Sequence, residues 1–330
     1  MGLLSLEEVA PLFCCPLCRA ALVQTSQGYS CTNQDCGHAG EAGFRTRMRW
    51  PVLVEFTRSI LSEDEIANDH ATDQANAERP SGLKHKLLSL MFPPNAVAEK
   101  NIDRMLDILK ETSANPVVLV VGGGTIGSGI DRLYHEPSVG VIGFDVFPSP
   151  MTQFIADGHQ IPLRDASVDA VVVQAVLEHV LDPWQVVAEI HRVLKRDGLV
   201  YADTPFMQQV HLGPYDFTRF TESGHRYLFK KFEMIDSGVS GGSGTQLSWT
   251  IDYTGRGLFR STFMGTLLKA AMFWVRYLDK IAPAAFQVDN ASGVFFLGRR
   301  SEREIAPKEM VTYYKGAQRQ FLPKHVTHFE

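Results

Sequence analysis

The sequence predicts an α/β chain built on a mainly parallel sheet. Three observations carry this. Val117-Val118-Leu119-Val120-Val121 is an uninterrupted apolar run, the pattern of a strand buried on both faces. It flows directly into Gly122-Gly123-Gly124-Thr125-Ile126-Gly127, whose glycines let the backbone turn tightly and approach a ligand closely. A second short strand then ends in an acid, Gly143-Phe144-Asp145, where a carboxylate is placed to accept hydrogen bonds from ribose hydroxyls.

Upstream of this region, all five cysteines lie in the first 36 residues, at Cys14, Cys15, Cys18, Cys31 and Cys36. Cys15-Pro16-Leu17-Cys18 is a C-x2-C knuckle, and Cys31 and Cys36 form a second pair. Two thiolate pairs separated by a short strand-like segment, with a turn at Gln27-Gly28, suit tetrahedral zinc. The expected ligands are Cys15, Cys18, Cys31 and Cys36, with Cys14 as a substitute for Cys15 and His38 for Cys36. Four protein ligands leave no open position, so the site reads as structural. A disulfide or free-thiol segment is the competing reading, disfavoured for clustered cysteines in a cytosolic chain. The segment holds few apolar residues, so metal is expected to supply much of its stability. Trp50 to Phe56 reads as its closing strand. The expected ribbon spans residues 1–56.

Residues 57–97 are mostly polar and read as a linker. Ile102, Met105, Leu106 and Leu109 recur at helical spacing and predict an amphipathic helix against the sheet. Asn115-Pro116 stops it before the first strand. Downstream, Val168–Val173 reads as the fourth strand. A helix begins near Asp182-Pro183, with Asp182 as N-cap and Pro183 in the first position. Val186, Val187, Ile190, Val193 and Leu194 supply its buried face, and Asp197-Gly198 is expected to end it. Strands follow at Leu199–Thr204, 232–240 and 293–299. Between the last two lies a strongly apolar helical insert, 241–290, punctuated by Arg256, Arg260, Lys269, Arg276 and Lys280. It is open to three readings: a lid on the core, a dimer interface, or a surface that lies on a membrane or covers a lipid-like acceptor through 256–280. Residues 301–330 form a polar tail.

The ordered set also includes Ala156-Asp157, Leu177-Glu178-His179-Val180 and Glu189-Ile190-His191-Arg192-Val193-Leu194-Lys195. In that order it resembles the class I S-adenosylmethionine (SAM)-dependent methyltransferases of the methyltransferase type 11 branch. The resemblance implies a Rossmann-like seven-stranded sheet, order 3-2-1-4-5-7-6, over residues 98–300. It implies SAM held by Gly122, Gly123, Gly124 and Asp145, with Gln174 near the methionine moiety. Asp157, followed by Gly158, would bind the adenine amino group. From the residues alone, Asp157 reads as a turn aspartate. Two departures stand out. Val120 and Val121 occupy a stretch where many relatives carry an acid, and Ile126 aligns with the usual last glycine of the turn. A glycine turn by itself also serves nicotinamide and flavin proteins, but the spacing here does not follow G-x-G-x-x-G closely.

His179 is a candidate base, because an unperturbed imidazole titrates near neutrality. Since the Glu-His pair occurs in relatives with very different substrates, a shared structural or site-shaping role for His179 and Glu178 is the favoured reading. The segment from Pro205 to Thr221 follows the fifth strand and is dense in functional groups. His211 and Asp216 are candidate bases, and Tyr215 and Arg219 candidate acceptor contacts. Its Pro-Tyr-Asp-Phe-Thr-Arg-Phe-Thr core is similar to segments of methyltransferases encoded with bacterial polysaccharide and glycolipid pathways. That points to a small-molecule, sugar or lipid-linked glycan hydroxyl as acceptor. The structural reading pairs Asp216 with Arg219 and makes Thr221 the cap of a helix near Glu222.

Some ribosomal-RNA methyltransferases also begin with a Cys-Pro-Leu-Cys ribbon, so an rRNA or tRNA acceptor touched by the ribbon is the first alternative. The net charge of −5 and the lack of a dense basic stripe argue against nucleic acid. A catalytically inert SAM-binding scaffold is the second alternative. No N-terminal stretch has the flank and length of a secretion signal, and no apolar run approaches membrane-spanning length. The expected location is the cytoplasm, with the inner face of the membrane as a peripheral site. A homodimer is a further expectation tied to the insert.

Overall fold

The computed structural model describes residues 2–40, 43–67 and 94–321. The central part of the expected linker, 68–93, and the end of the expected tail, 322–330, lie outside the described residues.

The strand Val117–Val121 (β5) occupies the middle of a seven-stranded sheet, and its four residues from Val118 on are buried. Four antiparallel strands precede it: Leu22–Gln24 (β1), Gly28–Cys31 (β2), Phe44–Arg47 (β3) and Trp50–Pro51 (β4). After it come Gly140–Asp145 (β6), Phe154–Ile155 (β7), Val168–Gln174 (β8), Leu194–Pro205 (β9), Phe232–Gly241 (β10) and Gly293–Arg300 (β11). The large sheet runs β10-β11-β9-β8-β5-β6-β7. Counted from β5 as first, that is the order 3-2-1-4-5-7-6. β5, β6, β7, β8 and β9 are parallel, and only β11 runs against its neighbours. Parallel strands place their carboxyl ends on one edge, where such sheets bind ligands.

The helix Ala96–Thr112 covers one face with Ile102, Met105, Leu106 and Leu109, all buried. Asn95 caps it by accepting from the Val97 and Ala98 amides. On the other face lies Pro183–Val193, with Asp182 accepting from the Gln185 amide as its N-cap. Its end differs from the sequence expectation. The helix stops at Val193, because Leu194 turns extended and enters β9. Asp197 is left-handed at φ 61° within that strand and does not cap a helix.

The cysteine-bearing segment is not a free-standing ribbon. Phe13 is fully buried, edge-on to Tyr29 at 5.1–5.3 Å separations shared with Phe154 of the large sheet. Leu3 bridges Val141 of β6, and Phe13 bridges Leu163. Val52 and Leu53 leave β4 and continue along β7, with the Leu53 amide donating to the Ile155 carbonyl at 2.8 Å. The closing strand expected at 50–56 therefore divides its pairing between the two sheets. Packing contributes to holding this segment, since Val9, Phe13, Leu22, Tyr29, Phe44 and Leu53 join the core of the large sheet.

The insert between β10 and β11 folds into helices Ser243–Phe259 and Thr262–Ala271, a 3-10 stretch Phe273–Lys280 and a short helix Ala284–Asp289. The two long helices meet closely at Gly255 and Gly265, where an added Cβ on Gly255 would lie 3.1 Å from the Gly265 Cα. Leu258, Phe263 and Ile281 are more than 70% exposed. Among the described residues no helix is long and apolar enough to cross a membrane.

Candidate functional site

Four chain segments converge at the carboxyl edge of the sheet: the glycine turn after β5, the end of β6, the chain after β8 and the chain after β9. Gly122 opens the turn at φ +70°, a conformation L side chains rarely adopt. The Gly124 amide donates to Asp145 Oδ2 at 2.8 Å, and the Val146 amide to Asp145 Oδ1 at 2.7 Å. Burial pushes the Asp145 carboxyl up to about 6, opposed by the amides of Gly124, Val146 and Phe147. On the opposite side Gln174 leaves β8. Its Nε2 donates to the Ser128 carbonyl at 3.0 Å, while its buried Oε1 has no hydrogen-bond partner among the described residues.

A Cβ on Gly127 would lie 1.9 Å from that Oε1, and one on Gly124 would lie 2.7 Å from Asp145 Oδ2. The turn is thus a cradle that side chains would fill. Its buried acceptors, a carboxylate and an orphaned amide oxygen, fit a ligand that brings hydroxyl and ammonium donors. Those are the groups of SAM's ribose and methionine ends, so the residues present fit that cofactor.

Asp157 sits differently. It caps the turn Gly158–Gln160 by accepting from the His159 amide at 2.9 Å, bonds the His159 ring at 2.6 Å, and accepts from Ser59 Oγ. Burial opposes its charge, yet the bonds from His159 and Ser59 hold the carboxyl below the usual range. Both oxygens already have protein partners. Gly158 is buried beside Val186 and Val121.

The residues singled out on the acceptor side come together. Ala175, left-handed at φ 54°, turns the chain out of β8 and into Glu178-His179. His179 Nε2 and His211 Nε2 are 3.1 Å apart, and each lies 3.6 Å from Glu178 Oε1. Glu178 is wholly buried, and among the described residues neither carboxylate oxygen accepts a hydrogen bond. The adjacent Glu178 and, more weakly, Asp216 raise the His211 imidazole above its ordinary value, against burial. The Glu178 carbonyl takes the Phe217 amide at 2.8 Å, which ties the acceptor loop to β8.

Asp216 and Arg219 follow the structural reading. Asp216 accepts from the His211 amide at 2.8 Å and from both terminal nitrogens of Arg219, one at 2.6 Å. Arg219 also donates to the Gln208, Gln209 and Thr218 carbonyls. Its guanidinium holds the Asp216 carboxyl low despite desolvation. The pair fixes the loop that carries His211. Tyr215 is exposed, and its carbonyl takes the His179 Nδ1 bond at 2.6 Å. Thr221 caps the helix Glu222–Leu228, as expected.

Sequence reasoning missed Asp203, near the carboxyl end of β9 beside the same edge. It is buried and bonded to Asn95, Ser240 and Tyr201. Burial pushes it up to about 6, and the charge of Glu178 adds to the rise. Its signal was available, since Asp203 lies near the end of an apolar strand, two residues before Pro205.

The four cysteines expected as ligands form one cluster, with all four sulfurs within 4.8 Å of one another. Cys15 and Cys36 are 3.8 Å apart, and Cys18 and Cys31 3.3 Å. Tetrahedral thiolates around zinc at ~2.3 Å stand about 3.8 Å apart, so the quartet fits that ion and is far too open for disulfides at ~2.05 Å. Cys14 stands outside the cluster, as does His38, which bonds Glu55 at 2.6 Å and stacks on Phe44.

Residues 131–202 match the family described as "Methyltransferase domain". An uncharacterized methyltransferase of Mycobacterium bovis is 33% identical over 125 residues, covering 34% of this chain and 47% of the relative. Malonyl-acyl-carrier-protein O-methyltransferase 1 of Coxiella burnetii is 28% identical over 154 residues, covering 44% and 51%. The chain spans about half the length of the curated relatives it matches. Among solved structures, phosphoethanolamine N-methyltransferase 2 of Haemonchus contortus with SAM bound aligns at TM-score 0.39 and 17% identity, over 65% of this chain and 56% of that one. The sheet order is that of the class I methyltransferase fold. On it the chain carries a methyltransferase-domain segment that runs from the helix after the glycine turn into β9.

Proposed function

We propose that this protein is a SAM-dependent methyltransferase that acts on a hydroxyl of a small molecule, sugar or lipid-linked glycan. The observation that carries the reading is the meeting, at one sheet edge, of the glycine cradle with Asp145 and the Glu178–His179–His211 cluster. When bound, SAM supplies an electrophilic methyl group on a sulfonium. The chain's own residues do the rest. Gly122, Gly123, Gly124 and Asp145 hold the ribose side, and Gln174 Oε1 receives the ammonium. Asp157, fully engaged by Ser59 and His159, shapes the adenine end of the site through the turn it caps.

At the acceptor side, a hydroxyl must lose its proton as its oxygen becomes a nucleophile. His179 Nδ1 is committed to the Tyr215 carbonyl, so its Nε2 is the ring atom free to act at the cleft. His211 presents its Nε2 to the same point, and Asp216 with Arg219 holds its backbone in place. The insert serves as a lid in this reading. Supporting this, Tyr253 Oη donates to the Val210 carbonyl at 3.0 Å, next to His211, and Gln209 bonds Thr250. Zinc in the Cys15, Cys18, Cys31 and Cys36 quartet is structural, and the segment it stiffens reaches the site through Ser59.

The test is transfer of labelled methyl from SAM to panels of hydroxyl acceptors: free sugars, lipid-linked glycans and RNA. Label on a glycan or small alcohol, lost in His211→Ala, supports the reading. Label on RNA alone would replace the acceptor class, and SAM binding without transfer to any panel would favour an inert scaffold.

A further inference from the structure

We infer that Glu178, His179 and His211 form a second metal site, separate from the cysteine quartet, for a divalent first-row transition-metal ion. Three observations carry it. Their ligand atoms all lie within 4.8 Å of one another, at 3.1 Å between the two Nε2 atoms and 3.6 Å from each to Glu178 Oε1. Ligands at ~2.1 Å from a common ion are separated by about 3.0 Å in octahedral and about 3.4 Å in tetrahedral geometry, so these spacings suit one ion at the centre.

The second observation concerns the tautomers. His179 Nδ1 lies 2.6 Å from the Tyr215 carbonyl, an acceptor only, so Nδ1 carries the proton. His211 is turned the same way, with Nδ1 3.4 Å from the Gln209 carbonyl and 3.5 Å from Asp216 Oδ2. Two neutral imidazoles so oriented point lone pairs at each other across 3.1 Å. A positive centre between them, a metal ion or a proton, removes that opposition. Donation of the second ring nitrogen to a carbonyl or carboxylate is also the usual outer support of a metal-binding histidine.

The third observation is Glu178. It is wholly buried, with neither carboxylate oxygen hydrogen-bonded among the described residues. A buried carboxylate without donors is costly, and a cation is the partner that removes the cost. A proton on one of the rings is the competing occupant; it would face Glu178 Oε1 only across 3.6 Å, longer than a hydrogen bond, whereas an ion at the centre meets all three ligand atoms. Two imidazoles and one carboxylate make a borderline donor set, suited to zinc, iron(II), cobalt(II) or manganese(II), and three protein ligands leave positions open. An alcohol in an open position loses its proton more readily than a free one. The role in acceptor activation rests on the proposed function, with the imidazoles acting through the ion; the binding of the ion does not.

The experiment counts zinc per chain by mass spectrometry, in full-length protein equilibrated with zinc and freed of excess, without SAM or acceptor. Wild type is expected to hold two ions. Glu178→Gln and His211→Ala are each expected to hold one, and Cys15→Ser/Cys18→Ser also one. The ion left in Glu178→Gln is the internal check that the cysteine segment is folded, and the half-exposed His211 tolerates truncation if the buried site does not. One ion in wild type, removed by the cysteine change, overturns the inference. So does a second ion that persists in both Glu178→Gln and His211→Ala. Because the count needs no turnover, failure of methyl transfer and failure of this site are read separately.

Discussion

Asp145 gives the sharpest prediction, because its protonation opposes its proposed task. The carboxyl is only 9% exposed, and burial raises it to about 6. In the unfolded chain it titrates near ~3.9. With the folded value above the unfolded one, the native protein holds a proton between about pH 4 and 6 that the unfolded chain has released. The group's contribution to stability is full below that window and is lost as pH rises through it. Ribose hydroxyls donate to the charged carboxylate, so SAM binding favours the ionised form. At about pH 5, roughly nine molecules in ten hold the proton, and ionising it costs about 1.4 kcal/mol. Affinity for SAM should therefore be about tenfold weaker at about pH 5 than at about pH 7. Asp203, also raised to about 6, titrates in the same window. Asp145→Asn separates the two, since it removes only the Asp145 part. Calorimetric titration across this interval, in wild type and Asp145→Asn, is the assay. Equal affinity at both ends, or an unchanged slope in the variant, would refute the assignment of Asp145 to the ribose.

Three further outcomes are expected. Gly127→Ala places a methyl 1.9 Å from Gln174 Oε1, so the flexible side chain must move away; SAM affinity should fall about tenfold while the melting temperature shifts by only a few degrees, and an unchanged affinity would remove Gln174 from the site. Phe13→Ala leaves a void between Tyr29 and Phe154 and should cost about 3–5 kcal/mol in urea unfolding; a loss under about 1 kcal/mol would mean the cysteine segment is not anchored by that ring. Cys15→Ser/Cys18→Ser should speed amide exchange in β1–β3 by about 100-fold, with β5 and β8 little changed, and equal protection with and without metal would contradict a structural zinc.

What could be read from the sequence, and what could not, divides along physical lines. Val117–Val121 and Val168–Val173 announced themselves because strands buried on both faces need unbroken apolar runs. Asp182-Pro183 marked a helix start because capping is local chemistry. The cysteine quartet was the expected set from spacing, because a C-x2-C knuckle limits which sulfurs can meet, but only the fold put Cys14 and His38 outside it. Asp197-Gly198 misled: the pair looks like a helix end, yet the chain had already entered β9, and the left-handed Asp197 falls in an irregularity between the Leu194 and Leu199 pairings with β8. The docking of Phe13 on Phe154 has no periodic signature, since it joins residues far apart in the chain. The same holds for Glu178 and His211, whose meeting depends on Ala175 turning left-handed and on the Asp216–Arg219 pair fixing the loop. Those residues were singled out by type, but their convergence belongs to the fold.

The most direct test of the central claim is a crystal structure of the protein with S-adenosylhomocysteine. The account predicts the ribose hydroxyls on Asp145, the amino-acid end beside Gln174, and the sulfur facing the Glu178–His179–His211 cluster. A ligand bound elsewhere, or a glycine turn left untouched by ligand in saturated crystals, would contradict it.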